Sequence, residues 1–230
     1  MVKIKICGIT SLKDALLCIR EGVDFLGFVT EYPISVPWNL SREKARDFII
    51  RTKDKVSTVV VTSGDVSKIL EIARFTSPHF IQLHGKESLI DIEKITKKLK
   101  ERDIKVIKAL SLNNKTFQAF FEISDPLKAA KALEKLEIFA LTIDSKTDVM
   151  PAGTGVLLNW ELAKKIKKDI SLPLILAGGL SSANVKRAVK IVKPFAVDVL
   201  SGVETNFKKD PQKVSNFIKE VKGNEVKNGI

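Results

Sequence analysis

Eight short apolar runs alternate with eight amphipathic segments along this chain, and the alternation predicts an α/β fold, a single-domain (βα)8 TIM barrel. Two further observations favour closure of the barrel. Neither a linker nor a change in composition divides the 230 residues, and eight strand–helix units are the number that closes a parallel sheet on itself. A doubly wound open sheet, which usually contains fewer strands, is the less favoured alternative.

The predicted strands are the apolar runs, and the first of them, at 2–6, alternates apolar with polar residues as a strand does. The eight strands are predicted at 2–6, 24–29, 56–62, 79–83, 104–110, 138–143, 172–177 and 195–200.

The predicted helices are the amphipathic segments, several of which begin at residues that cap helices, such as Ser11, Ser41 and Asp65. They are predicted at 11–21, 41–53, 65–75, 87–101, 114–135, 159–168, 182–191 and 211–222. The barrel domain is therefore expected to span 1–222. The remaining tail, 223–230, lacks periodicity and is expected to fray.

The net charge of +12 favours an anionic partner, either nucleic acid or a small phosphorylated and carboxylated substrate. The lysine-rich runs have the pattern of solvated helix faces. Aromatic residues are mostly Phe inside apolar runs, so they form no platform on which bases could stack. We therefore expect a small-molecule substrate and no nucleic acid partner.

Composition also bears on compartment and cofactors. No apolar run approaches the roughly 18 residues that span a bilayer, and the N-terminus lacks the apolar core of a signal peptide. The two cysteines, Cys7 and Cys18, are too few for a disulfide scaffold and suit a reducing, cytoplasmic setting. The histidines and cysteines show no metal-ligand spacing. We expect neither a membrane nor a metal, and the oligomeric state stays open.

The candidate catalytic residues stand where predicted strands end, because the active site of a (βα)8 barrel is built at that edge. Cys7 follows the first strand and Asp144 follows the sixth, which places a natural base and a natural acid on one rim. A thiol near a helix start has a lowered pKa, which favours a reactive thiolate. The alternative is that Cys7 is a small buried hydrophobic residue.

Glycine-bearing ends of the last two strands, Gly178-Gly179 and Ser201-Gly202, predict a phosphate site. Glycine lets backbone N–H groups approach an anion, and many barrels bind phosphate after strands seven and eight. Gln82 and His84 alternate at the end of the fourth strand, so both are predicted to point inward, although His84 could equally be structural.

Six segments carry a resemblance to a known family: 2–10 (VKIKICGIT), 82–85 (QLHG), 144–147 (DSKT), 153–155 (GTG), 177–180 (AGGL) and 194–204 (PFAVDVLSGVE). Through them the chain resembles the phosphoribosylanthranilate isomerases of tryptophan biosynthesis, from residue 2 to about 222.

The resemblance implies an Amadori rearrangement of N-(5′-phosphoribosyl)anthranilate to 1-(2-carboxyphenylamino)-1-deoxyribulose 5-phosphate. Asp144 would protonate the ribose ring oxygen and open the ring to a Schiff base, and Cys7, as a thiolate, would remove the C2 proton. No cofactor is required. Gly155 joins the expected substrate-binding residues, which are Gln82, His84, Gly178, Gly179, Ser201 and Gly202.

One departure from the family concerns the loop at 31–40, where an arginine usually pairs with the anthranilate carboxylate. No arginine occurs in this chain before Arg42 in that region, so Arg42 is the candidate substitute. Its alternative role is simply to open the second helix after Ser41. Trp38 could stack on the aromatic ring of the substrate or serve in packing.

Three other functions compete with this interpretation. Indole-glycerol phosphate synthase would need a catalytic lysine at a strand end, for which Lys108 is the obvious candidate. The isomerase of histidine biosynthesis would need an aspartate where Cys7 stands. A catalytically inactive barrel could use its basic surface to bind nucleic acid, but the pair Cys7 and Asp144 would then have no purpose.

Overall fold

The strands close into a parallel barrel in chain order, with β8 hydrogen-bonded back to β1. The computed structural model describes residues 1–113, 116, 118–119, 121–146 and 158–223. Because the eight strands close in this order, the predicted TIM barrel is confirmed. Its strands are β1 Lys3–Ile6, β2 Phe25–Val29, β3 Ser57–Thr62, β4 Phe80–Leu83, β5 Lys105–Asn113, β6 Ala140–Lys146, β7 Leu174–Leu176 and β8 Ala196–Val199.

A helix covers the sheet after each strand, and the caps form as the sequence predicts. The side chains of Ser11, Ser41 and Asp65 each accept a hydrogen bond from a backbone N–H in the first turn. The helices are α1 Leu12–Glu21, α2 Arg42–Thr52, α3 Val66–Thr76, α4 Leu89–Lys100, α5 Pro126–Glu134, α6 Trp160–Asp169, α7 Val185–Val192 and α8 Pro211–Lys222. Among the described helices, none is long and apolar enough to cross a membrane.

The predicted helix at 114–135 is wrong in its first half. β5 continues to Asn113, and Leu112 forms a β-bridge with Ala119. The helix begins only at Pro126, after Asp125 caps it. Proline suits the first turn of a helix because that turn leaves its N–H groups unbonded, so the Asp-Pro pair marked the true start.

A hairpin after β8 was also missing from the prediction. A single 3-10 turn, Ser201–Val203, leads into β9 Glu204–Thr205 and β10 Lys208–Lys209, which pair antiparallel. Asn206 and Phe207 at its tip both have positive φ, as a tight two-residue hairpin turn requires. The barrel ends with α8, and residues 224–230 of the tail that was expected to fray lie outside the described residues.

Aromatic rings fill the barrel near the amino-terminal ends of its strands. Phe80 lies 5.7 Å from Phe25 and 4.9 Å from Phe139, between ring centroids, and Phe139 lies 6.0 Å from Phe195. Apolar packing of this kind stabilises one end of the barrel. It leaves the carboxyl ends of the strands to carry polar side chains.

Candidate active site

A cavity of about 760 Å³, open solvent included, lies at the carboxyl ends of the strands. It brings together most of the residues selected from the sequence: Cys7, Gln82, His84, Asp144, Gly178, Gly179, Ser201 and Gly202. Gly155 lies outside the described residues. Arg42 does not line the cavity. In a (βα)8 barrel, residues at the carboxyl ends of the strands are expected to share one rim, and these residues do; the role of each stays a prediction.

Cys7 stands directly after β1, and its backbone N–H donates to Val199 O at 2.9 Å. Its side chain lines the cavity although only 6% of the residue is exposed. A Cβ atom at Gly27 would lie 2.7 Å from Cys7 Sγ, so glycine at that position of β2 leaves the room that the thiol occupies.

A buried ion pair lies beneath the thiol, and it was not recognised in the sequence. Lys5 and Asp198 are register partners on β1 and β8, and Lys5 Nζ lies 2.7 Å from Asp198 Oδ2. Lys5 is fully buried. Asp198 lines the cavity, and its second oxygen, Oδ1, makes no hydrogen bond within the described part of the chain. That oxygen is an acceptor available to a ligand.

Burial raises the pKa of the Cys7 thiol, and the neighbouring positive charge of Lys5 opposes the rise by favouring the thiolate. The expectation that the nearby helix start lowers this pKa is wrong. Removing the sulfur from water destabilises its charged form by more than the surrounding positive charge stabilises it.

Asp144 lies within β6 rather than after it, and its buried carboxyl group has a pKa far above the usual range of an aspartate. Burial raises the pKa of Asp144 to about 7, and the negative charge of Asp198 acts in the same direction. A hydrogen bond of 2.7 Å from Ser145 N to Asp144 Oδ1 favours the carboxylate, but burial outweighs it.

His84 is held beside this carboxyl group. Its Nε2 atom lies 3.7 Å from Asp144 Oδ2, and its Nδ1 atom lies 3.3 Å from Gln82 Nε2. Tyr32 donates from its hydroxyl group to His84 O at 2.8 Å. Tyr32, Val36 and Trp38 bring apolar and aromatic surface from the loop after β2 to the cavity.

Backbone rather than side chain forms the wall after β7. Gly178 and Gly179 have φ angles of 87° and 65°, in the left-handed region that glycine reaches without strain. A side chain at Gly178 would also meet Ser145, with a Cβ–Oγ distance of 2.7 Å. Together with Ser201 and Gly202 after β8, this wall has the composition of a phosphate site.

Arg42 is engaged elsewhere. Its guanidinium group donates to both oxygens of Glu31, at 2.6 and 2.8 Å, and to Glu71 at 2.5 Å. These carboxylates neutralise its charge and tie the start of α2 to the preceding loop and to α3. The contacts favour the structural alternative for Arg42 over binding of a substrate carboxylate.

Lys108, the residue that the synthase alternative would need, does not line the cavity. It is fully buried, and its Nζ atom lies 2.8 Å from both Glu87 Oε2 and Gly85 O. The pair fastens the loop after β4 to β5. Among the described residues, no group of three His, Cys, Asp or Glu side chains could hold a metal ion.

With this geometry in view, the chain was compared with known proteins. It matches the family model described as N-(5′-phosphoribosyl)anthranilate (PRA) isomerase over residues 4–220. It is 38% identical to the N-(5′-phosphoribosyl)anthranilate isomerase of Thermotoga neapolitana over 225 residues, which cover 97% of this chain and 100% of that protein.

Solved structures agree with these sequence matches. The crystal structure of phosphoribosyl anthranilate isomerase from Thermotoga maritima superposes with a TM-score of 0.80 at 33% identity, covering 96% of this chain and 99% of that one. A second isomerase structure, in complex with reduced 1-(o-carboxyphenylamino)-1-deoxyribulose 5-phosphate, gives a TM-score of 0.77 at 32% identity, with the same coverage.

The raised pKa of Asp144 predicts that Asp144→Asn stabilises the protein at pH 8 and not at pH 4. The folded pKa of about 7 exceeds the ordinary 3.8, so this carboxyl group contributes full stability below about pH 4 and loses it as the pH rises through 7. Asparagine does not titrate, so the variant does not lose this stability. Its free energy of unfolding at pH 8 should exceed that of the wild type by at most about 4 kcal/mol. Urea unfolding of both proteins at the two pH values measures it. An equal effect at pH 4 and pH 8 would contradict the raised pKa.

Proposed function

This chain belongs to the N-(5′-phosphoribosyl)anthranilate isomerase family, and we propose that it converts N-(5′-phosphoribosyl)anthranilate to 1-(2-carboxyphenylamino)-1-deoxyribulose 5-phosphate in tryptophan biosynthesis, with Cys7 as base and Asp144 as acid. One observation carries the proposal: a buried carboxyl group with a pKa of about 7 shares a cavity with a thiol that lies beside an ammonium group. An isomerisation that moves one proton off carbon and another onto oxygen needs such a pair.

The acid acts first. Asp144 donates its proton to the ribose ring oxygen, the bond from that oxygen to C1 breaks, and the nitrogen lone pair forms the C1–N double bond of a Schiff base. An ordinary aspartate is ionised at neutral pH, whereas burial raises the pKa of Asp144 to about 7, so a substantial fraction of the carboxyl groups carries a proton there. His84, 3.7 Å away, stands where it can orient the carboxyl group.

The base acts second. Cys7, as a thiolate, removes the proton from C2, and the electron pair moves into the Schiff base to give an enolamine, which tautomerises to the ketone. Lys5 stabilises the thiolate, and Asp198 compensates the charge of Lys5. The free Oδ1 atom of Asp198 can accept a hydrogen bond from a sugar hydroxyl group.

The two ends of the substrate match two parts of the cavity wall. The backbone at Gly178, Gly179, Ser201 and Gly202 suits the phosphate, and Gly155 is expected to join it. The side formed by Tyr32, Val36 and Trp38 suits the aromatic ring. Cys7 and Asp144 then face the sugar between them, and the chemistry requires no cofactor.

Cys7→Ala is expected to abolish isomerisation, because no other base stands in the matching motif. The fold and the affinity for inorganic phosphate should be unchanged. The matched control is Cys18→Ala, which removes the other thiol from the buried face of α1 and should leave the rate intact. Steady-state turnover of N-(5′-phosphoribosyl)anthranilate measures both. More than about a tenth of the rate in Cys7→Ala, a barrier change under about 1.4 kcal/mol, would reject Cys7 as the base.

Asp144→Asn is expected to lower kcat with little change in KM, since a general acid acts mainly in the transition state. In the reactive state Asp144 is protonated and Cys7 is ionised, so the two groups together hold one proton. The dependence of kcat on pH should therefore be bell-shaped in the wild type, and the limb near pH 7, which reflects Asp144, should disappear in the variant. The pH dependence of kcat and KM tests this. An effect on KM alone would make Asp144 a binding residue.

Arg42→Ala is expected to change KM less than about threefold and to lower the free energy of unfolding by about 1 kcal/mol, the upper range for a partly exposed ion pair. Its ion pairs with Glu31 and Glu71 are the reason. Kinetics and urea unfolding of the variant measure both quantities. A rise of tenfold or more in KM, without a change in inhibition by a phosphosugar lacking the carboxylate, would instead support Arg42 as the partner of that carboxylate.

A further inference from the structure

Three side chains form a buried cluster between the loop after β2 and the hairpin after β8, which we call the clasp: Trp38, Glu204 and Lys209. The indole N–H of Trp38 donates to both carboxylate oxygens of Glu204, at 3.0 and 3.1 Å. Lys209 Nζ lies 2.6 Å from Glu204 Oε1. All three side chains are almost completely buried.

The clasp fixes one wall of the active-site cavity. The ring of Trp38 packs against Gly8, the residue that follows Cys7, where an added Cβ atom would lie 3.0 Å from Trp38 Cδ1. Phe207, at the hairpin tip, lies over Trp38 with ring centroids 6.0 Å apart. Trp38 therefore has a fixed orientation in the wall that it shares with Tyr32 and Val36.

Ordinary packing would not need buried charges. Desolvating a carboxylate and an ammonium group costs free energy that their attraction offsets only when their hydrogen bonds are well made. Here the carboxylate accepts from both Lys209 and the indole, and the Glu204 backbone oxygen accepts from Lys213 at 2.7 Å. The result is an indole whose position is set by directed, charge-assisted bonds rather than by shape alone.

The chemistry of this wall indicates what it contacts. Among the described residues that line the cavity, none is arginine or lysine. What this wall offers to an aryl group is therefore apolar and aromatic surface rather than a cationic partner. We propose that Glu204 is a positioning residue that, with Lys209, holds Trp38 as the rigid surface on which the aromatic ring of the substrate packs. The inference rests on the proposed function, since it assigns the end of the cavity that receives the anthranilate group.

Glu204→Gln is the direct test, because it keeps the shape of the side chain and removes the negative charge to which Lys209 and the indole N–H both donate. We expect KM for N-(5′-phosphoribosyl)anthranilate to rise about tenfold, with kcat lowered less than threefold. Inhibition by ribulose 5-phosphate, which has the sugar phosphate without the aryl group, should stay within twofold of wild type.

A double-mutant cycle separates positioning from mere stability. If Glu204 acts through Trp38, Glu204→Gln should raise KM no further in a Trp38→Leu background. Trp38→Phe, which keeps a ring and loses the N–H group, should fall between wild type and Trp38→Leu. Asp210→Ala is the matched control, because it removes the cap of α8 and a bond to Thr205 in the same hairpin without touching the clasp. It should lower the melting temperature and leave KM unchanged.

The outcomes are distinct. Wild-type protein that does not turn over the substrate overturns the proposed function. Wild-type turnover with an unchanged KM in Glu204→Gln, or an equal rise in KM with and without Trp38, overturns the clasp alone. If Glu204→Gln does not fold, the two Trp38 variants, which leave Glu204 paired with Lys209, decide: an unchanged KM in Trp38→Leu rejects the contact with the aryl group.

Discussion

The active site depends on one ion pair inside the barrel, between Lys5 on β1 and Asp198 on β8. Two charges removed from water are stable only while each satisfies the other, so the pair fixes the register of the two strands where the barrel closes. The same charges act on the groups above them. Lys5 favours the thiolate of Cys7, and Asp198 favours the protonated form of Asp144. The more distant partner acts in the opposite sense on each group, and burial is the largest influence on both, so the ion pair adjusts the two pKa values around what burial dictates.

Polar and apolar interactions are divided between the two ends of the barrel. At the amino-terminal ends of the strands, phenylalanine rings fill the interior and supply stability without charge. At the other end, buried ion pairs fasten the loops that surround the cavity: Glu87 with Lys108 after β4, and Glu204 with Lys209 after β8. Directed bonds hold a loop in one position, which apolar packing alone does less well. The division follows the general separation of stability and function in this fold.

The sequence was sufficient for the barrel and for placing Cys7 and Asp144 on one rim, because periodicity and strand ends are local signals, while the roles of the two residues stay predictions. It was insufficient for Lys5. Alternation in the first strand shows that Lys3 and Lys5 share a face but not what that face meets, and closure of the barrel turns the face inward. Lys5 is therefore fully buried, whereas Lys3, at the start of the strand, remains exposed. Arg42 was ambiguous for a related reason, since its pairing with Glu71 on α3 depends on how two helices pack.

The closure of the barrel has a consequence for the newborn chain. Lys5 and Asp198 are separated by 193 positions. At translation rates of about 5–20 residues per second, roughly 10–40 s pass between the synthesis of the two residues. During that interval the segment that carries Cys7 has no β8 beside it, and its thiol is open to peroxide and to exchange with other disulfides. The sulfur of the proposed base is thus made well before the strand that shelters it, and we expect oxidants to reach it more readily in a nascent chain than in the folded barrel.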